Sequence, residues 1–408
     1  MHQPHFSTSV PTPAASPSRA GLTWFARRRL AALDRASARV HGTLLAEVGR
    51  GGRPSTSTRT SRGVVAISLF VLVTYAVAVV MLVVATFASK NVIGWSAVIL
   101  GWMVLVAVSP RTQRLDDVTP LPAEDYPSTH RLVAAVAESV GTRAPDVVAV
   151  SKEFNAGVSR VGWGRRQALV VGLPLWTLLT DDERLALLAH EMGHLRGRDT
   201  TVSRLVAVAH GVLRRAATLL TPLPEDAYSD VADYRHGVSQ ATMNGAGSLV
   251  LRVLSAPPRL LLLAFERLAA VESQRREYLA DLCAAEVAGT PAVVRLLVTA
   301  GNLPGLHTLA SAAVRRREDP FTVLETVRDR PDPTAQQVAT ARQRAREQDL
   351  RWDATHPRDD LRLSLVEARA AEATPATIDA QRGADRELSH LRNELSRPFA
   401  DDLSDTYC

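Results

Sequence analysis

His190, Glu191 and His194 stand in the order HExxH, inside the run HEMGH. On an α-helix, positions i and i+4 share one face, so both imidazoles can reach a single ion while Glu191 points toward that ion's open side. The chemistry such a trio offers is hydrolysis at a zinc ion, with the carboxylate as the base.

The helix that must carry the trio is legible in the residues around it. Thr180 and Glu183 have the spacing of a capping box, and Asp181 and Asp182 place negative charge at the positive end of the helix dipole. Leu185, Leu188 and Met192 recur at helical spacing. Gly193 costs up to about 1 kcal/mol relative to Ala, more natural where another backbone comes close than on an ordinary surface helix.

A catalytic zinc takes three protein ligands and keeps one position open, so a later His, Asp or Glu on a second helix is required. The segment Glu272 to Glu286, ESQRREYLADLCAAE, has a helical pattern with Glu277 and Asp281 one turn apart. Glu277 fits as the third ligand, and Asp281 as the group that accepts a hydrogen bond from a ligating imidazole and fixes its tautomer. Taken alone, the same residues suit an ordinary charged surface helix equally well.

The rest of the chain places this unit. Gly63 to Ala88 is 26 residues without a charge, enough to cross a hydrocarbon core of about 30 Å. After Ser89, Lys90 and Asn91, a second uncharged run from Val92 to Ser109 can return, giving a transmembrane helical hairpin. Arg50, Arg53, Arg59 and Arg62 precede the first run and Arg111 and Arg114 follow the second, whereas the link carries only Lys90. By the positive-inside rule both ends face the cytoplasm, so the chain is expected to be a multi-pass protein of the cell membrane with HExxH on the cytoplasmic side. Two cysteines, Cys283 and Cys408, cannot build a disulfide framework and agree with a reducing compartment.

Residues 1–62 read as a basic N-terminal region, disordered at first and amphipathic from Leu22 to about Val48; an Arg-rich helix there suits either a membrane surface or solvent. Residues 63–109 are the hairpin and 110–365 the catalytic domain. Residues 366–408 are a charged tail, with 370–408 expected to be disordered. Within the domain a helix is expected near His130 to Val140. Strands are expected over Pro145 to Ser151 and Ala168 to Gly172, the latter after a turn at Gly162, Trp163 and Gly164, so that a hairpin precedes the HExxH helix. Its free edge could hold an extended peptide over the metal. Val202 to Leu223 and Ser248 to Ala270 are apolar but interrupted by arginines, and Pro257 and Pro258 should break the second; neither reads as an independent span. The fold class is therefore mainly α with a small β-sheet (α+β). The formal charge of +6 comes almost wholly from arginine, lysine being confined to Lys90 and Lys152. With few aromatics and no nucleic-acid motif, no nucleic-acid partner is expected.

HEMGH at 190–194, Asp199 after it, EYLAD at 277–281 preceded by SQRR, and THPRDDLRL at 355–363 together resemble the HtpX-like and CaaX-prenyl-protease family of membrane zinc endopeptidases. FNAGVSR near Asn155 is similar to that family's segment before its edge strand. The resemblance implies a gluzincin-like metallopeptidase with one Zn²⁺ per chain on His190, His194 and Glu277, and with Glu191 as general base. Asp281 and Asp199 are expected to support the ligands. His356 and Arg362 are the first candidates to stabilise the oxyanion, although a structural role for the His-Pro turn is as compatible; His210, Tyr278 and Asp199 are further ones. The expected activity is membrane-anchored, zinc-dependent endopeptidase action on peptides or on unfolded or membrane proteins at the lipid bilayer, in quality control or regulated proteolysis. The alternative is a catalytically silent or narrowly specific zinc-containing sensor or scaffold. Glu191 speaks against the silent form, because a purely structural site has no use for that carboxylate. The long N-terminal extension, the charged helices between the motifs and the Arg-rich tail depart from the HtpX pattern.

Overall fold

A computed structural model of the chain describes residues 24–51, 59–110, 117–161, 166–196, 200–219, 240–347, 357–372 and 378–405. They form two compact units. The first joins residues 1–54, 113–197 and 273–408, and the second joins 55–112 and 198–272.

The first unit is built on a four-stranded sheet in the order β1-β2-β4-β3, where β1 is Val118–Pro120, β2 Val147–Ser151, β3 Ala156–Arg160 and β4 Gln167–Gly172. β2 and β4 run parallel with Val148 opposite Leu169, and β3 returns antiparallel to β4 with Val158 opposite the same leucine. The two strands expected to form a hairpin, 145–151 and 168–172, instead run parallel as β2 and β4, because the chain between them supplies a further strand, β3, which makes the antiparallel pair with β4 and lies at an edge of the sheet. The turn at 162–164 lies outside the described residues. Gly172 closes β4 where an added Cβ would stand 1.8 Å from the Glu153 carbonyl oxygen, so only glycine fits. The backbone passes from there into α5 (Leu173–Leu178) and then α6 (Asp181–Leu195). The capping box is present at α6, and the Glu183 carboxylate that serves it also accepts a hydrogen bond of 2.9 Å from Thr299. Apolar residues of α4 (Pro127–Val140), α5 and α6 meet the sheet in one core with Leu132, Val136, Leu169, Trp176 and Leu188.

Three short helices extend that core: α9 (Thr290–Gly301), α10 (Leu303–Arg315) and α11 (Pro320–Arg328). Beyond them α12 (Ala335–Glu347) and α13 (Asp359–Arg369) bring the chain back to α9. Over residues 378–405 the structure departs from the disorder expected of 370–408. Residues Ile378–Asp405 form a helix, α14, that packs along α4 and buries Ala384, Leu388, Leu391, Phe399 and Leu403. Its high charge conceals an apolar stripe, and several of its charges are used: Asp385 lies 3.1 Å from the buried Arg184 of α6, and Glu387 caps α4. The N-terminal region likewise contains α1 (Trp24–Gly49), whose C-terminal half buries Leu44 and Val48 within this unit.

In the second unit, α2 (Arg59–Ala88) and α3 (Val92–Val108) lie antiparallel, tied by the Tyr75 hydroxyl to the Leu105 carbonyl and by Trp102 Nε1 to Thr86. Asn91 starts α3 by accepting from the Gly94 amide at 2.7 Å. Only α2 among the described residues is long and apolar enough to cross a membrane by length and composition. Phe70, Val73, Val77, Met81 and Phe87 on α2, and Ile93, Ile99, Leu100 and Met103 on α3, point outward from the unit. α7 (Thr200–Leu219) and the first part of α8 (Gln240–Ala288) pack on α2 through Ala209, Val212, Leu213 and Phe265. Pro257 and Pro258 sit inside α8 and do not end it. Leu261, Leu262, Phe265 and Leu268, packed in this unit immediately afterwards, offset the hydrogen bonds the prolines remove.

Candidate metal centre

α6 carries His190, Glu191 and His194; the end of α8 within the first unit carries Glu277 and Asp281. What allows the two helices to cross this closely is Gly193. A Cβ there would lie 3.0 Å from the Ala280 Cα and 3.3 Å from the Cys283 Cβ. The glycine that weakens α6 as a helix is thus the point at which α8 touches it.

At the crossing, Nε2 of His190 and Nε2 of His194 are 3.2 Å apart. The Glu277 carboxylate is 3.5 Å from the first and 3.4 Å from the second. Donors at about 2.0–2.1 Å from a tetrahedral zinc stand about 3.3 Å from one another, because the edge of a tetrahedron is about 1.6 times its centre-to-corner distance. The three side chains therefore meet in a triangle of about the size zinc requires, with Oε2 of Glu277 toward His190 and Oε1 toward His194. Glu191 belongs to the same cluster, its donor atom and those of the two histidines lying within 4.8 Å of one another. His190, Glu191 and Glu277 are all less than a tenth exposed.

Behind the triangle, His190 Nδ1 is 3.0 Å from the Asp281 carboxylate, which is almost fully buried. This contact asks for the proton on Nδ1 and leaves Nε2 free toward the ion. Arg362, on α13, grips Asp281 with two hydrogen bonds of 2.8 Å, from Nε and Nη2. Burial pulls the His190 imidazole down and works against ionised Asp281, yet the net result is the reverse for both. Hydrogen bonds to the Asp281 and Glu277 carboxylates lift His190 to about 10, and the Arg362 guanidinium holds Asp281 below its ordinary value. So much negative charge aimed at one buried imidazole is a demand for a cation, met by a proton on His190 or by a metal at the triangle. The donor set fits a zinc ion in geometry and in charge.

The remaining expected site residues fall as follows. Arg362, expected as an oxyanion donor, is committed to Asp281 by both arms of its fork and lies 3.8 Å from Glu277; its position is that of a clamp on the ligand support. That departs from expectation because spacing in a sequence carries no sign of which carboxylate a guanidinium will meet. Asp199 and His356 lie outside the described residues. Tyr278 is fully buried in a small core with Leu44, Val48, Leu282 and Leu365. His210 belongs to the second unit, where its ring stacks on Phe265 with centroids 5.2 Å apart. Cys283 is half-buried and accepts a hydrogen bond from Arg196 at 3.4 Å. β3 lies next to α6, with its outer side unpaired among the described residues.

A family model described as peptidase family M48 matches residues 123–370, more than half of the chain. Among curated proteins, the chain is similar to the protein named Protease HtpX homolog of Pyrococcus abyssi (strain GE5 / Orsay), 29% identical over 197 residues that cover 48% of this chain and 58% of that protein. It is similar also to Protease HtpX of Stutzerimonas stutzeri (strain A1501), 28% identical over 167 residues covering 40% and 53%, and to the Protease HtpX homolog of Syntrophobacter fumaroxidans (strain DSM 10017 / MPOB), 28% identical over 175 residues covering 42% and 57%. The chain spans little more than half the length of these curated relatives. No solved structure matches it significantly.

Proposed function

The chain belongs to peptidase family M48, and from that premise we propose that it is a membrane-anchored, zinc-dependent endopeptidase. The observation that carries this reading is the convergence of His190, His194 and Glu277, whose closest donor atoms are 3.2–3.5 Å apart, with Glu191 beside the histidines. These three residues would hold one Zn²⁺ per chain. When bound, the ion supplies Lewis acidity that polarises a carbonyl and acidifies water.

The chain's own residues do the rest. Glu191, buried beside the histidines, accepts the proton of the attacking water and returns it to the leaving amine. Asp281 holds His190 in the tautomer that turns Nε2 to the ion, and Arg362 keeps Asp281 ionised while that carboxylate is out of water. The free edge of β3, adjacent to α6, can pair with an extended peptide by main-chain hydrogen bonds and carry the scissile amide to Glu191.

The same reading covers location and substrate. α2 spans the bilayer and α3, 17 residues long and so about 26 Å, returns across it with both ends cytoplasmic, in agreement with the arginines that flank the pair and with its outward apolar side chains. An unfolded or membrane protein is then the substrate class, in quality control or regulated proteolysis. The decisive experiment compares wild type with Glu191→Gln and Glu277→Gln for zinc content and for cleavage of an unfolded membrane protein. Glu191→Gln should keep zinc and lose activity by at least about 100-fold. Glu277→Gln should lose zinc, and full zinc occupancy in that variant would remove Glu277 from the ligand set.

A further inference from the structure

Helix α1 lies outside the segment matched by the family model, yet within the first unit it packs against the metal-ligand helix. Leu44 and Val48 of α1 are buried with Tyr278 and Leu282 of α8 and Leu365 of α13, while Val40, Leu279 and Leu361 close the rim. Tyr278 is covered completely. His41 Nε2 is 2.9 Å from the Ser364 hydroxyl, and its ring lies 5.9 Å from that of Tyr278. Glu47 pairs at 3.5 Å with Arg275, whose side chain is almost fully buried.

The residues that α1 touches are the sequence neighbours of the metal site. Tyr278 follows Glu277, Arg275 precedes it by two positions, and Leu282 follows Asp281. On a helix, adjacent positions are turned by about 100°, so a side chain seated firmly on one face fixes where its neighbour on another face points. On α13, Ser364 and Leu365 lie two and three positions beyond Arg362, within one turn of it. One face of α1 therefore touches both helices that supply the third ligand and its clamp, from the side away from α6.

We propose that α1 is a positioning element of the metal centre: docked through Leu44, Val48 and His41, it sets the rotation of α8 and α13 so that Glu277, Asp281 and Arg362 converge on His190. The proposal rests on Glu277 as a zinc ligand. It also assigns a use to the N-terminal extension, whose helical pattern by itself suits a membrane surface or solvent as well.

The test uses the full-length protein in detergent. Zinc affinity is read by competition with a chelator, and ligand geometry by the visible spectrum of the cobalt(II)-substituted protein. Leu44→Asp, which undocks α1, should weaken zinc binding by about 10-fold or more and change the cobalt bands. Leu44→Met should restore both, and Leu45→Asp, on the exposed side of the same helix, should leave both as in wild type. Val48→Ala gives a milder loosening in the same direction and serves if Leu44→Asp does not fold by circular dichroism and melting. Glu277→Gln is measured alongside. If Glu277→Gln loses zinc while folded Leu44→Asp or Val48→Ala binds zinc and cobalt as wild type does, α1 has no positioning role. If Glu277→Gln keeps wild-type affinity, the ligand assignment itself falls, and the proposal with it.

Discussion

Three residues decide how the candidate metal centre is held, and they differ in what a sequence discloses about them. His190 and His194 are local: four positions apart on one helix, they must share a face. Arg362 is not local, since it meets Asp281 across 81 positions, and its two hydrogen bonds of 2.8 Å keep charged a carboxylate that burial would otherwise neutralise. Removing it leaves Asp281 buried with only His190 as counter-charge. We expect Arg362→Ala to weaken zinc binding by about 10- to 100-fold in chelator competition. Arg362→Lys should recover only part of the loss, because an ammonium supplies the charge without the bidentate fork. Wild-type affinity in the alanine variant would show that Asp281 needs no clamp.

Helix crossings and caps govern the scale above. Gly193 is where α6 and α8 touch, and the atom its missing side chain would meet most closely is the backbone Cα of Ala280, which cannot turn aside. Gly193→Ala gains up to about 1 kcal/mol of helix propensity but loses about 1–3 kcal/mol to overpacking. The expected net result is a lower melting temperature together with weaker zinc binding, and an unchanged melting temperature would mean that the helices separate freely. α14 supplies a second case. Glu387 accepts from the Ser128 and Thr129 amides at 2.7 and 2.8 Å, capping α4 from the far end of the chain and holding its own carboxyl below the usual 4.5 although partial burial pushes the other way. A depressed carboxyl contributes stability that is fully present above its unfolded-state value and is lost as pH falls through the folded one. Wild type should therefore lose more melting temperature than Glu387→Gln below about pH 4.5, and at neutral pH the variant should be less stable by about 1 kcal/mol. Equal pH profiles would mean that Glu387 contributes nothing as a cap.

For the whole molecule, the proposed topology places the link between α2 and α3 outside the cell and the metal centre inside. In a chain whose native cysteines are replaced by serine, Asn91→Cys should react with a membrane-impermeant thiol reagent on intact cells, and a cysteine at Arg50 should react only after lysis. Protection of position 91 in intact cells would reverse or abolish the hairpin. Much of this architecture is legible without coordinates. The capping box of Thr180 and Glu183, the helical face shared by His190 and His194 and the apolar run of α2 all depend on contacts or solvation within a few residues, which spacing and residue type determine. The folded tail, the continuity of α8 through Pro257 and Pro258, the docking of α1 and the partner of Arg362 were not legible. Each depends on shape and charge matched between segments far apart in the chain, and no local pattern records which distant surface will cover an apolar stripe or answer a buried charge. The sequence by itself determined that two histidines would share one helical face with a glutamate beside them. Only the tertiary structure decided that the carboxylate of Glu277, 83 residues beyond His194 and offered by the sequence as one reading among two, comes within 3.5 Å of both imidazoles, because that requires α6 and α8 to approach to backbone contact at Gly193.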